Sequence, residues 1–403
     1  MNTSLRDDRT LSLRSRGLAE VERIAEGLLE PLGITRVSDV TGLDVLGVPV
    51  WHSVRPDAAP GLNTVTSGKG ATSRAARVSA VMEAIERWCG EPQGRPSVTA
   101  SYAELSADRL ALDPRRLILK RSHEWTPDTQ LTWWPTTELN RDLEVWVPAL
   151  AIFTPFPPEA NLLRSNTIGL AAGNDLDEAV LHALYEVVEH DCTSFAELLS
   201  IGHRVRLDTL PEQARELIAM FERASVTVTV HAYTNGIGIP TFSALTEDTH
   251  AQDAMLFNGG AGCHLDPEIA VTRAITEAAQ SRLAVIGGAR EDMDAQDYRR
   301  HASYDTVKDA IRRWSDAQPW CAFDDIRSAT TGSVGGDLEL VLKALARDGL
   351  DLALATELSP PDFPFSVAQV VVPGTEFAHL DPERVGVRLA KAQQQRTVRQ
   401  EAS

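Results

Sequence analysis

The chain has 403 residues, 43% of them hydrophobic and 24% charged, enough apolar material to bury a substantial core in one large domain or two or three smaller ones. With 39 Lys+Arg against 57 Asp+Glu the formal charge is −18, which works against polyanions and anionic membrane surfaces, so neither nucleic acid nor a membrane is an expected partner. No apolar run approaches the roughly 18–20 residues needed to span a bilayer, and the charged opening MNTSLRDDRTLSLRSRG lacks the apolar segment of a signal peptide, so a cytoplasmic location is expected.

Residues 1–16 are polar enough to read as a disordered or flexible arm. GLAEVERIAEGLLEPLG follows, with apolar residues at Leu18, Val21, Ile24, Leu28 and Leu29, a helical spacing that stops at Pro31 and Gly33. The strand-like LGVPVWHSV comes next. Helices are predicted over 72–89, 177–200, 212–224, 267–286 and 335–348. Among them VTVTVHAYT, PTFSALTE and FSVAQVVVP are rich in β-branched residues and bounded by Gly, Pro or Asn, as strands are. The stretch from about 90 to 150, rich in tryptophan and proline, reads as an insertion or small lobe, and AKAQQQRTVRQEAS ends the chain as a frayed polar helix or tail, with 393–403 as the tail itself. Without repeats or low-complexity tracts, the body is expected to be α/β (α+β), with mixed sheets and flanking helices. Cys89, Cys192, Cys263 and Cys321 form no CxxC pair and read as buried small hydrophobes.

Two of the predicted helices carry glutamates three residues apart, Glu83/Glu86 in SAVMEAIER and Glu186/Glu189 in LYEVVEHD, and a third carries Arg273, Glu277 and Gln280. Carboxylates at i and i+3 project from one helical face, so two such helices together offer the hard oxygens that Mg²⁺ takes alongside substrate phosphates. The competing reading is a solvated face: Glu178, His182, Glu186 and Glu189 fall on one side of their helix, with Val180, Leu181, Leu184, Val187 and Val188 opposite. Against it stands the charge pattern. From Ser165 through His203 the acids are Asp175, Asp177, Glu178, Glu186, Glu189, Asp191 and Glu197, with no Lys or Arg among them. Spacing alone leaves both readings open. A carboxylate-bridged di-iron bundle fits badly, because it needs Glu-x-x-His and here His182 and His190 stand four residues after Glu178 and Glu186. Ser67-Gly68-Lys69-Gly70 fails the Walker pattern, which needs Ser or Thr after the lysine, and reads as a tight turn.

Three blocks, SGKGATSRAARVSAVMEAIERW, GLAAGNDLDEAVLHALYEVVEHD and DPEIAVTRAITEAAQSRLAVIGGARED, resemble the YcaO family in residues, order and spacing, over roughly 34–380. The resemblance implies one catalytic domain, here 17–392, that binds ATP through Mg²⁺ held by glutamates and acts on the amide backbone of a peptide or protein. By position, Ser79, Glu83, Glu86 and Arg87 match the SxxxExxER motif, whose acids are expected to hold Mg²⁺ and the nucleotide phosphates. Glu186 and Glu189 match a second acidic pair of the same role, and Asn174 and Glu178 match polar positions expected near the nucleotide. Arg273, Glu277, Gln280 and Arg282 match the third cluster, expected to be catalytic, where a basic side chain neutralises phosphate charge. Two departures stand out: His190 where the family commonly has Arg, and Ile168 where an Asn-Gly turn is usual. A protonated His190 would still donate to a phosphate, although its ordinary pKa near 6.5 leaves it mostly neutral.

The implied chemistry makes an amide oxygen a leaving group by phosphorylating it, with the nucleophile deciding whether an azoline, a thioamide or an amidine forms. The sequence ends in RQEAS, not in the PxPxP tail of azoline-forming members, and a body without a fused leader-binding domain is expected; these features resemble the subset that works with a separate TfuA protein in thioamide formation. A precursor peptide or protein is the expected substrate, a TfuA-like or leader-binding protein the expected partner, and a homodimer a possible assembly. The strand VTVTVHAYT, at a sheet edge, would pair with an extended peptide. The opposing reading is a scaffold that binds nucleotide without turnover.

Overall fold

The computed structural model describes residues 14–95, 97–233, 236–289 and 303–401. In chain order come helix α1 (Leu18–Glu26), strands β1 (Arg36–Asp39), β2 (Val50–Val54) and β3 (Val65–Lys69), helix α2 (Ser73–Gly90), strand β4 (Val98–Ser101), helix α3 (Tyr102–Asp108), strands β5 (Gln130–Glu138), β6 (Leu143–Pro148) and β7 (Leu170–Gly173), and helix α4 (Leu176–Leu199). There follow strand β8 (His203–Val205), helix α5 (Glu212–Arg223), strands β9 (Val226–Tyr233), β10 (Thr241–Asp248) and β11 (Asn258–Cys263), and helices α6 (Pro267–Ile286) and α7 (Tyr304–Asp316). Strand β12 (Trp320–Cys321), helix α8 (Val334–Arg347), strands β13 (Leu354–Glu357) and β14 (Ser366–Val371), and helix α9 (Val387–Glu401) complete the order. The architecture is mixed α/β, and among the described residues no helix is long and apolar enough to cross a membrane. By contacts the chain divides into two compact units with interleaved segments, Met1–Ile85, Ile201–Thr234 and Ile239–Ser333 in the first, Glu86–Ser200, Asn235–Gly238 and Val334–Ser403 in the second. Most of the expected N-terminal arm lies outside the described residues. The first expected helix ends early, at Glu26, where Gly27 caps it, and the remainder to residue 33 is turn.

The first unit holds an antiparallel sheet β1-β2-β3 and a five-stranded sheet in the order β11-β10-β9-β8-β12, antiparallel except for the parallel pair β12–β8. Alternation in VTVTV buries Val226, Val228 and Val230 in a core shared with Leu217 and Phe221 of α5 and Ala270, Ala274 and Ile275 of α6. Strand β9 pairs with β10 along its length and with β8 at Ala232 and His231, so it is interior, and the expected peptide-pairing edge is not there. Helix α6 lies tightly on β11 because β11 is NGGAGC. A Cβ on Gly260 would fall 2.4 Å from the Ala274 carbonyl oxygen, and one on Gly262 would fall 2.1 Å from that of Ala270. Gly262→Ala is therefore expected to cost about 1–3 kcal/mol through overpacking, read as a lowered urea midpoint; an unchanged midpoint would refute the tight seat.

The SGKG segment is not the expected turn. Ser67, Gly68 and Lys69 are the end of β3, and Gly68 is there for proximity: a Cβ would meet the Ala76 carbonyl oxygen of α2 at 2.1 Å.

The second unit is built on a sheet in the order β4-β5-β13-β14-β7, with β6 on β5. The stretch expected as an insertion or small lobe supplies β4, β5 and β6 of this sheet, and three of its four tryptophans are core: Trp125, Trp133 and Trp146 are buried, and Trp134 is half-buried. The polar C-terminal stretch continues α9 to Glu401. Cys89, Cys192 and Cys263 are buried free thiols and Cys321 is half-buried.

Candidate functional site

In the second unit the acids gather on one short strand. The LAAG of β7 is buried throughout, and its small side chains leave the backbone open to approach. The Ala172 N–H donates to Glu86 Oε2 from α2 at 3.1 Å, and the Gly169 N–H, just before the strand, donates to Glu186 Oε2 from α4 at 3.1 Å. Gly169 sits at φ +80°, and a Cβ there would fall 2.3 Å from the Val370 carbonyl oxygen, so glycine is required. Two acidic helices far apart in sequence are thus pinned three residues apart on one backbone.

Helix α4 begins with Asp175 as N-cap, its carboxylate accepting the Glu178 N–H at 3.0 Å. Glu178, only 3% exposed, in turn accepts from the Asn174 backbone N–H at 3.1 Å and from Asn174 Nδ2 at 2.9 Å, which joins the two predicted nucleotide-side residues. A solvated surface helix is excluded, because Glu178 on its supposed solvent face is buried and His182 is half-buried, while Tyr185 and Asp191 are buried as well. Glu186 and Glu189 remain half-buried, as does Glu86.

His190 does not carry the positive charge that phosphate binding would need. Its Nδ1 lies 3.0 Å from His379 Nε2, the rings stack at 5.1 Å, and His379 Nδ1 lies 2.7 Å from Ser194 Oγ. Burial pushes His190 down to about 4, and burial together with His190 pushes His379 down to about 3, so both are neutral at neutral pH. The Ser194 hydroxyl is directed by two carbonyls, those of His190 and of buried Glu376, each at 3.0 Å. Having given its proton there, it accepts from His379 Nδ1; His379 Nε2 then accepts from His190 Nδ1, and His190 Nε2 is left as a hydrogen-bond acceptor.

One residue further on is a network that the sequence reading missed. Asp191, fully buried, accepts from Arg388 NH1 at 2.6 Å and from the Glu376 N–H at 2.8 Å, and Arg388 also pairs with Asp348. Burial raises the Asp191 carboxyl, against the pull of the Arg388 charge. Glu376, also raised chiefly by burial, accepts the N–H groups of Gly386 at 2.7 Å and Leu389 at 3.0 Å. These bonds tie α9 to α4 two residues after Glu189.

In the first unit the third cluster meets β3. Lys69 pairs with Glu277, whose other oxygen accepts the Ala261 N–H at 3.4 Å, and Gln280 Nε2 donates to the Ser67 carbonyl at 2.5 Å. Lys69, set aside with the failed Walker match, is therefore a member of the cluster. Arg273 stands one turn before Glu277 on α6, half-buried, as Ser79, Glu83 and Arg87 are on α2. Arg282 parts from its expected role. It is 3% exposed, its Nε and NH2 each 2.9 Å from a carboxylate, Asp44 and Asp248, and a guanidinium clamped between two buried acids serves the core rather than a phosphate.

Among the described residues no group of three or more His, Cys, Asp or Glu is arranged to cage a metal, which a structural zinc or di-iron centre would require. Mg²⁺ asks less of a protein, commonly one or two carboxylates with water and phosphate oxygens completing its shell. Glu86 and Glu186, hard-oxygen donors each oriented by a backbone N–H, fit that demand.

A family model described as YcaO cyclodehydratase, ATP- and Mg²⁺-binding, matches residues 67–376. An uncharacterized protein of Methanothermobacter thermautotrophicus is 40% identical over 368 residues, covering 90% of this chain and 94% of its own. A protein encoded in the tfuA 3′ region of Rhizobium leguminosarum bv. trifolii is 30% identical over 365 residues, covering 86% and 85% of the two chains. Among solved structures, YcaO from Methanopyrus kandleri bound with AMPPCP and Mg²⁺ matches with a TM-score of 0.77 at 26% identity, over 93% of this chain and 96% of that one.

Proposed function

The chain belongs to the YcaO family, an ATP- and Mg²⁺-binding family, and from that premise we propose that it activates a backbone amide of a ribosomally made peptide or protein and converts it to a thioamide. The observation that carries the reading is the pinning of Glu86 and Glu186, two family-matched acids from different helices, to one strand. Glu86 and Glu186 are the proposed direct Mg²⁺ ligands, and Glu83 and Glu189, each one turn away on the same helix, are proposed to act through water in its shell. The ion, when bound, lends its charge to the phosphate oxygens. Asn174 and Glu178, locked to each other, present a fixed edge for the nucleotide, and Arg273 with Lys69 supplies positive charge in the third cluster.

An amide carbonyl resists attack, and its oxygen leaves poorly. A nucleophile adds to the carbonyl carbon, the amide oxygen takes the γ-phosphoryl group of ATP, and phosphate departs with that oxygen. With hydrosulfide as nucleophile, amide, ATP and HS⁻ give thioamide, ADP and hydrogen phosphate, the sulfide proton ending on phosphate or solvent. Support for sulfur over a side-chain or amine nucleophile comes from the relative encoded beside tfuA, and a TfuA-like protein is the proposed partner.

Intact-mass analysis of the neighbouring precursor peptide after reaction with ATP, sulfide and the partner is the test. Exchange of one oxygen for one sulfur is the expected product. Loss of one water would replace the thioamide by an azoline or amidine, and nucleotide binding without phosphate release under any condition would identify a scaffold.

A further inference from the structure

Within the second unit a cavity of about 50 Å³ is lined by Leu150, Leu163, Ile168, Val187, Gln369 and Arg384, among others. That is room for a few atoms or waters. Its polar wall residues are Asn166, Thr375, Gln369 and Arg384; Asn166 accepts the Ile168 N–H and Thr375 donates to the Val372 carbonyl, whereas the other two are left with needs unmet. Gln369, 2% exposed, donates through Nε2 to the Ile168 carbonyl at 2.8 Å and the Val370 carbonyl at 3.3 Å. Two carbonyl partners identify that atom as the nitrogen, and Oε1, on the other side of the amide, is buried with no donor reaching it among the described residues. Arg384, 5% exposed, gives Nε to the Ile118 carbonyl at 2.8 Å and NH2 to the Leu117 carbonyl at 2.9 Å. Among the described residues no carboxylate forms an ion pair with it, Asp381 and Glu376 acting only at longer range.

A buried cation without a paired anion and a buried amide oxygen without a donor are each costly, on the order of a few kcal/mol for the orphaned oxygen alone. One small ligand meets both needs if it is an anion that also carries a hydrogen. The apolar wall of Leu, Ile and Val selects for a weakly hydrated, polarisable one. The place is also apt: Gly169, the next residue after Ile168, holds Glu186 through its N–H, and Val187 of the cavity wall follows Glu186 on α4.

We infer that this cavity binds hydrosulfide, with the S–H directed to Gln369 Oε1 and the charge facing Arg384, as the store from which the sulfur nucleophile reaches the amide carbonyl. The inference rests on the thioamide reading for its chemical purpose. In transfer the C–S bond forms on addition to the carbonyl carbon, the resulting oxyanion takes the γ-phosphoryl group, the C–O bond to that oxygen breaks as phosphate leaves, the S–H proton passes to phosphate or solvent, and no oxidant or reductant is needed.

Gln369→Met removes the acceptor at nearly constant volume, together with the Nε2 bonds to the Ile168 and Val370 carbonyls, so the KM for ATP and the urea midpoint are followed alongside. It is expected to raise the apparent KM for sulfide at least tenfold in peptide-dependent phosphate release, with the KM for ATP and the rate at saturating sulfide changed less than twofold. An unchanged KM for sulfide would overturn the assignment. Should no sulfur enter any peptide, the thioamide reading fails by itself, and the cavity is judged separately on crystals of the wild-type protein soaked in sodium hydrosulfide. Anomalous sulfur density between Gln369 and Arg384 would then sustain the binding site, and ordered water alone would end it.

Discussion

Replacing Glu186 or Glu86 by glutamine is expected to lower peptide-stimulated phosphate release by at least about 100-fold, the order that follows from losing a few kcal/mol of charge stabilisation around the transferring phosphoryl group. The same change should leave the urea midpoint close to that of the parent. Each carboxylate receives a backbone N–H, from Gly169 and Ala172 respectively, and a glutamine oxygen accepts that bond equally well while the negative charge is lost. Glu339→Gln, at an exposed i, i+4 pair with Lys343 on α8, serves as the control and should change neither quantity. Equal loss of activity and of midpoint in Glu186→Gln would make that acid a structural element. Full activity in both variants would remove the proposed metal ligands altogether.

What the sequence disclosed and what it withheld divide along a physical line. The acid-bearing helices were legible to within a residue or two, 72–89 against Ser73–Gly90, 177–200 against Leu176–Leu199, and 267–286 in full, because helical periodicity is local. The resemblance then supplied the expected roles. Lys69 was not legible as a partner of Glu277, since 208 residues separate them and the Walker pattern concerns only the neighbours of SGKG. Arg388 was missed for the same reason: it stands 197 positions after Asp191, and a polar helix near the end of a chain gives no local sign that one of its guanidinium groups neutralises a buried acid. His190 shows a third kind of limit. Its identity was visible as a departure from the family, but its neutrality is set by burial among residues, His379 included, that only the fold brings near. The tryptophans of 90–150 misled because aromatic and proline-rich composition marks a buried sheet as readily as a separate lobe.

Acidification is expected to destabilise the first unit between pH 6.5 and about 4, through histidines buried in neutral form. His231, fully buried, is pushed down to about 4 by burial and by the Arg204 charge, and His264, 2% exposed, is pushed down to about 3 by burial and by Arg273 and Arg14. In the unfolded chain both titrate near the ordinary value of 6.5, so across this window the unfolded state binds more protons and stability rises with pH. Held to pH 4, each histidine withdraws on the order of 3 kcal/mol, since every pH unit below the unfolded-state value costs about 1.4 kcal/mol while the folded ring stays neutral. Proton uptake on urea unfolding at pH 5 measures the effect directly. His231→Gln should reduce that uptake by nearly one proton while keeping a bond to Ser315 Oγ, which His231 Nε2 meets at 3.0 Å. At pH 7 the variant should lose only about 1 kcal/mol, from the ring contact with Trp314 at 4.4 Å. An unchanged uptake would mean that His231 is already protonated in the fold, and its burial against Trp314 would then need a compensating acid that the described residues do not place there.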